Sequence, residues 1–202
     1  IEKIFIHTTA GHNERRKPAD TLRGHFNNRE WDFGGYHWMI EKNGKATRFY
    51  PDCVEVNGVK GQNPTSIHIN WMGGRVQNSS EFPLYRDVSG NLQGGKALIL
   101  GGDADITDDQ VLTLDVLIRT YLEAYPNAVV EGHNQAENGG NYKPCPLFWV
   151  PTFAERLGIP SNRIGTDSYK LGVTNSKYPL SELKENARLI TEIFAHRTEP
   201  QV

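Results

Sequence analysis

One long amphipathic segment constrains this chain more than any other feature. Val111, Leu114, Leu117, Ile118, Tyr121 and Leu122 recur at helical spacing and form a single apolar stripe. Thr107 precedes the stripe as an N-cap, and Gln110 three places on completes a capping box. Pro126-Asn127 stops the helix after about Tyr125. A stripe of this width needs an apolar surface to lie on. The flanking runs are too short for helices and supply one. Ile4-Phe5-Ile6 and Ala128-Val129-Val130 are compact, β-branched and bounded by polar residues, as buried strands are. Tyr36 to Glu41 and Ala46 to Tyr50 are strand-like and joined through Asn43-Gly44, a strong hairpin signal. Ser66 to Met72 is a further strand, closed by Gly73-Gly74. The order strand, helix, strands, helix, strand, helix predicts an α/β fold: one domain, with a mixed central β-sheet flanked by helices.

The remaining segments fit around that frame. Pro18 suits the first turn of a helix running to about Asn28, with Leu22 and Phe26 on one face. Arg75 to Gly102 is polar and glycine-rich, read as a long surface excursion with a small hairpin around Ser89-Gly90-Asn91. Leu147 to Leu157 reads as a short helix, and residues 158–178 as irregular. Leu180 to His196 reads as a final helix, with Ser181 as its cap and Leu183, Ala187, Ile190 and Phe194 on one stripe. The expected organisation is a domain over residues 1–157 and a C-terminal extension over 158–202, whose helix packs on or beside it.

Hydrophobic residues are 37% of the 202, enough for a real core, and the charged fraction of 23% is ordinary for a globular chain. The net charge of -2 gives no electrostatic reason to expect a nucleic acid as partner. No apolar run is long enough to cross a bilayer. No basic-then-apolar leader is visible, and with Ile1 in place of Met that carries no conclusion about the full gene product. The two cysteines, Cys53 and Cys145, permit one disulfide but do not make a disulfide framework. Cys53 is expected to be a half-buried small apolar residue.

Candidate chemistry gathers at strand ends. His7 and His133 each follow a short apolar strand where a loop begins, which is where sheets present functional side chains. Cys145 follows about a dozen residues later between two prolines, as zinc loops return a ligand. Three protein ligands with one open position is the layout of catalytic zinc, and imidazole and thiolate suit that ion. On position alone, each of the three could equally be a core or surface residue. Of the other histidines, His37 is expected to be packed and hydrogen-bonded. His68 faces away from its strand neighbours, toward the active cleft or the far side. His12, His25 and His196 are expected near solvent. Trp31, Trp38, Trp71 and Trp149 are mostly core candidates.

Several segments, taken in order, resemble the zinc N-acetylmuramoyl-L-alanine amidases, the superfamily that includes phage lysozyme-type amidases and the peptidoglycan recognition proteins. They are Ile4-Phe5-Ile6-His7-Thr8-Thr9-Ala10, Gly35-Tyr36-His37-Trp38-Met39-Ile40 with Asn43-Gly44, and Ser66-Ile67-His68-Ile69-Asn70-Trp71-Met72-Gly73-Gly74. Thr107 to Gln110, Tyr125-Pro126, Gly132-His133 and Lys143-Pro144-Cys145-Pro146-Leu147-Phe148 complete the series, over roughly residues 1–157. The resemblance implies zinc ligands at His7, His133 and Cys145, an active-site tyrosine at Tyr36 and a catalytic lysine at Lys143. It implies hydrolysis of the amide between N-acetylmuramic acid and L-alanine of peptidoglycan, by a phage-encoded endolysin acting on the bacterial wall. Recognition-type members that have lost activity typically lack the cysteine, which this chain keeps.

The chain also departs from the family. Asn134-Gln135 stands where Arg-Asp is frequent, His68 where glycine is usual, and Trp149 where aspartate is frequent. No His-Glu-x-x-His is present, so the metalloprotease base is missing. Other readings are a non-catalytic peptidoglycan-binding module, a virion-associated or partner-bound protein using the fold for wall opening and contacts, and an amidase for a small non-wall amide.

Overall fold

The computed structural model describes residues 1–9, 26, 33–77, 85–86, 92–93, 96–98, 106–136, 145–165 and 180–198. The expectations for His12, His25, Trp31, Lys143 and the helix from Pro18 lie outside these residues, apart from Phe26, which is helical. The side chains of Phe194 and His196 lie outside them too.

The central sheet has five strands: β1 (Lys3–Thr8), β2 (Trp38–Ile40), β3 (Ala46–Arg48), β4 (Ser66–Trp71) and β9 (Val129–Gly132), in the order β3-β2-β4-β1-β9. β2 and β3 form the antiparallel hairpin that Asn43-Gly44 announces, with Gly44 at φ 77° in the turn. Every other pairing in the sheet is parallel, so the sheet is mixed. β1 lies between β4 and β9, with Phe5 opposite His68, His7 opposite Asn70, and Ile6 opposite Gly132. The hairpin strands β2 and β3 are shorter than their apolar runs suggest.

Alternation along the strands divides the two faces. Ile4, Ile6, Ile67, Ile69, Trp71 and Val130 point into the main core. They meet helix α1 (Asp108–Ala124), whose stripe of Val111, Leu114, Leu117, Ile118, Tyr121 and Leu122 is buried throughout. Its capping box is present as expected, with the Gln110 backbone N–H donating to Thr107 Oγ1 and the Thr107 N–H to Gln110 Oε1. Gln110 also donates through Nε2 to the carbonyls of Ile40 and Met72, tying the helix start to two strand exits.

Helix α2 (Val150–Arg156) and helix α3 (Leu180–Thr198) complete that layer. Leu183, Ala187 and Ile190 of α3 join the main core, as do Ile159 and Ile164. Ile164 extends the sheet as a parallel bridge to Val130. Ser181 lies inside the first turn of α3 rather than capping it, because the helix already begins at Leu180. Within the Arg75 to Gly102 stretch the described residues form two short antiparallel pairs. β5 (Arg75–Gln77) pairs antiparallel with β8 (Lys96–Leu98), and β6 (Tyr85–Arg86) pairs antiparallel with β7 (Leu92–Gln93); the expected turn at 89–91 lies outside the described residues. Cys53 is exposed, not half-buried, because the strand stops at Arg48 and Cys53 falls in the turn that follows. Both cysteines are free thiols. No described helix is long and apolar enough to cross a membrane.

Candidate metal centre

The second face of the sheet is where polar side chains collect. His7 projects from the C-terminal end of β1, and His133 opens a 3-10 turn (His133–Gln135) at the end of the neighbouring parallel strand β9. Parallel neighbours in register place these two strand exits side by side, at the carboxyl end where α/β sheets bind ligands. Gly132 is needed just before His133. A Cβ there would sit 2.4 Å from Asn134 Oδ1 and 3.0 Å from Pro146 Cδ. The chain then returns, and the Asn134 N–H donates to the Cys145 carbonyl at 2.7 Å, which fixes the thiol beside the imidazoles. Thr8 N–H points at Cys145 Sγ at 3.3 Å.

One ligand atom from each of His7, His133 and Cys145 lies within 4.8 Å of the others. His7 Nδ1 is 3.1 Å from His133 Nδ1 and 3.8 Å from Cys145 Sγ. Tetrahedral zinc with its usual bond lengths would hold two such nitrogens about 3.3 Å apart and a nitrogen and a sulfur about 3.6 Å apart. The observed spacings therefore fit zinc, and so does the chemistry of two imidazoles with a thiol. His7 and His133 are buried and Cys145 half-buried. Tyr36 stands at the same place, half-buried, its ring centroid 5.1 Å from that of His7.

Comparisons with known proteins give the family. A family model described as N-acetylmuramoyl-L-alanine amidase matches residues 1–147. The chain belongs to that family. Among relatives of the chain, the endolysin of Escherichia phage T7 is 24% identical over 155 residues, covering 77% of this chain and 86% of the phage protein. Among solved structures, the endolysin amidase LysCS from Clostridium intestinale URNW superposes with a TM-score of 0.50 at 20% identity, covering 72% of this chain and 74% of its own. Drosophila PGRP-LB gives 0.51 at 16% identity, covering 87% and 85%. At these identities the solved structures speak for the fold alone.

Two further histidines surround the centre. His68 Nδ1 lies 3.0 Å from His7 Nε2, so the strand face left open by the sequence is the one that carries the site. The His68 ring stacks on Phe5 (centroids 5.6 Å apart, planes at 11°) and on His37 (5.9 Å, 5°). Gly58 makes room for it, since a Cβ at 58 would come within the ring's contact radius of Nδ1 at 2.2 Å. His37 is packed and hydrogen-bonded as expected: its Nδ1 accepts from the His68 backbone N–H and its Nε2 lies 3.0 Å from the Val54 carbonyl. Burial holds His68 well below the ordinary imidazole pKa, helped by the charges of His37 and His133, and burial also lowers His37. Both are neutral at pH 7. Asn70 and Met39 also occupy this face, with Asn70 Nδ2 donating to the Met39 sulfur at 3.2 Å.

Proposed function

We propose that the protein is a zinc-dependent N-acetylmuramoyl-L-alanine amidase that cleaves the amide between N-acetylmuramic acid and L-alanine in peptidoglycan. The observation that carries this reading is the convergence of His7, His133 and Cys145, far apart in sequence, on one point within a chain of this family. A zinc ion held there would lower the pKa of a water toward neutrality and polarise the scissile carbonyl. His7 and His133 would hold it through Nδ1 and Cys145 through Sγ, with the Thr8 N–H directed at the sulfur. Tyr36, beside His7, is assigned to hydrogen-bond the reacting amide. Lys143, two residues ahead of Cys145 in the sequence, is assigned to offset the negative charge that builds on the carbonyl oxygen. The phage relatives support an endolysin that acts on the bacterial wall.

Digestion of purified peptidoglycan, with products identified by mass, tests the reaction. Free stem peptide should appear and a chelator should stop its release; full activity without zinc overturns the reading. Cys145→Ser should abolish cleavage and weaken zinc binding in a folded protein. Lys143→Ala should bind zinc normally and lose kcat by about a hundredfold or more. An unchanged rate would remove Lys143 from the mechanism.

A further inference from the structure

We infer that His68 is a positioning residue for His7, fixing which nitrogen that ligand presents to the metal. This rests on the zinc reading and goes beyond it. His7 has two ring nitrogens, and only one can face His133 and Cys145. That nitrogen is Nδ1, at 3.1 Å and 3.8 Å from the other two donors. A neutral imidazole that ligates through Nδ1 carries its proton on Nε2. His7 Nε2 is 3.0 Å from His68 Nδ1, so the proton is donated to His68. His68 is thereby the tautomer with its own proton on Nε2.

Three further observations make this a built contact rather than a chance approach. The His68 ring is clamped between parallel faces of Phe5 and His37, so it cannot tilt out of its plane without losing both stacks. Its backbone N–H is held by His37 Nδ1. Gly58 leaves the cavity into which the ring fits. Against these, His68 Nε2 is buried with no hydrogen-bond partner among the described residues. A buried N–H without an acceptor opposes folding, and an apolar ring of similar shape would avoid it. Among the described residues, the one hydrogen bond its ring makes is the one to His7. A polar residue kept at a cost to the fold, with its ring hydrogen bond directed at a candidate metal ligand, is what an outer-sphere acceptor looks like. Such partners orient the ligand and raise its basicity, and their loss typically costs 10–100-fold in metal affinity.

His68→Phe keeps the stacked ring and removes the acceptor. His68→Asn places a carbonyl oxygen near the former Nδ1 and restores it. Zinc affinity of the full chain, measured by chelator competition, should fall about tenfold or more in His68→Phe. It should recover to within a few-fold of wild type in His68→Asn, while thermal unfolding shows no loss of stability in the phenylalanine variant. Nitrogen NMR of the zinc-loaded wild type should show His7 protonated at Nε2, with a coupling across the hydrogen bond to His68 Nδ1. That measurement needs no variant and decides the matter if a substitution fails to fold. Unchanged zinc affinity in a folded His68→Phe, or a His7 proton on Nδ1, overturns this inference alone. A wild-type chain that takes up no zinc overturns the zinc reading and this inference with it.

Discussion

Single residues carry the site, and they were legible to different degrees. His7 and His133 could be picked out because a short apolar run that stops on a histidine puts that side chain at the mouth of a sheet. Cys145 could be joined to them through its proline-flanked place after His133 and through the family resemblance. His68 was half legible: alternation sets it apart from Ile67 and Ile69, but which face holds the site depends on the register of β4 against β1. Gly58 gave no signal, because its role is the space it leaves under a ring ten residues further on. Cys53 was misread because the apolar run to Tyr50 outlasts the strand. The neutral pair His37 and His68 has a consequence for stability. Their folded pKa values lie below the unfolded value, so in acid the unfolded chain binds more protons than the folded one. Their contribution is complete above the ordinary imidazole pKa of about 6.5 and is lost as pH falls below it. Urea unfolding of metal-free protein should therefore give a lower stability at about pH 5.5 than at about pH 7.5. His68→Phe should flatten that slope, and an equal slope in the variant would show that His68 does not contribute.

Elements are held to one another by contacts that sequence reveals only when they are local. The capping box of α1 was readable because its two members are three residues apart. The same Gln110 also reaches Ile40 and Met72, and nothing local announces that. The other end of α1 is further from view. It has no basic residue in its last turn, and Arg163 reaches in from 41 residues away, donating to the carbonyls of Leu122, Tyr125 and Ala128 at 2.8–2.9 Å. A cation on the last carbonyls of a helix satisfies acceptors that have no partner within the helix and complements its dipole. Arg163→Met keeps much of the stem and removes all three bonds. It should destabilise the protein by about 2–3 kcal/mol, a value suited to partly buried charged hydrogen bonds. Chemical denaturation checks this, and a loss under about 0.5 kcal/mol, the usual range of a surface change, would reduce Arg163 to decoration. Beside it, Asp52 gathers Tyr121, Tyr125 and Arg48, while the Trp38 indole N–H donates to Tyr121 Oη, pinning α1 to the edge hairpin.

At the scale of the molecule, alternation and chain order sufficed for a mixed sheet with helices against it, and the structure has that architecture. The strand order β3-β2-β4-β1-β9 was not readable, since parallel partners meet through long crossovers that leave no local mark. The residues after 157 are, we propose, an integral wall of the domain. Ile159, Ile164, Leu183, Ala187 and Ile190 lie in the main core, and Asn186 donates to the carbonyl of Leu147, two residues from the candidate ligand. Removing residues 158–202 would take four buried Ile or Leu side chains out of that core, each worth about 1.5–3 kcal/mol. The sum is comparable to a typical domain's whole stability, so the shortened chain should lose its cooperative thermal transition. A sharp transition near that of the full chain would show the extension to be dispensable. On the zinc reading, the span of the centre sets when the chain becomes able to cut. His7 and Cys145 lie 138 positions apart, so a nascent polypeptide carries an incomplete cradle until that whole stretch has been made. A fragment that ends within it, through stalling or proteolysis, lacks the thiol and should release no stem peptide.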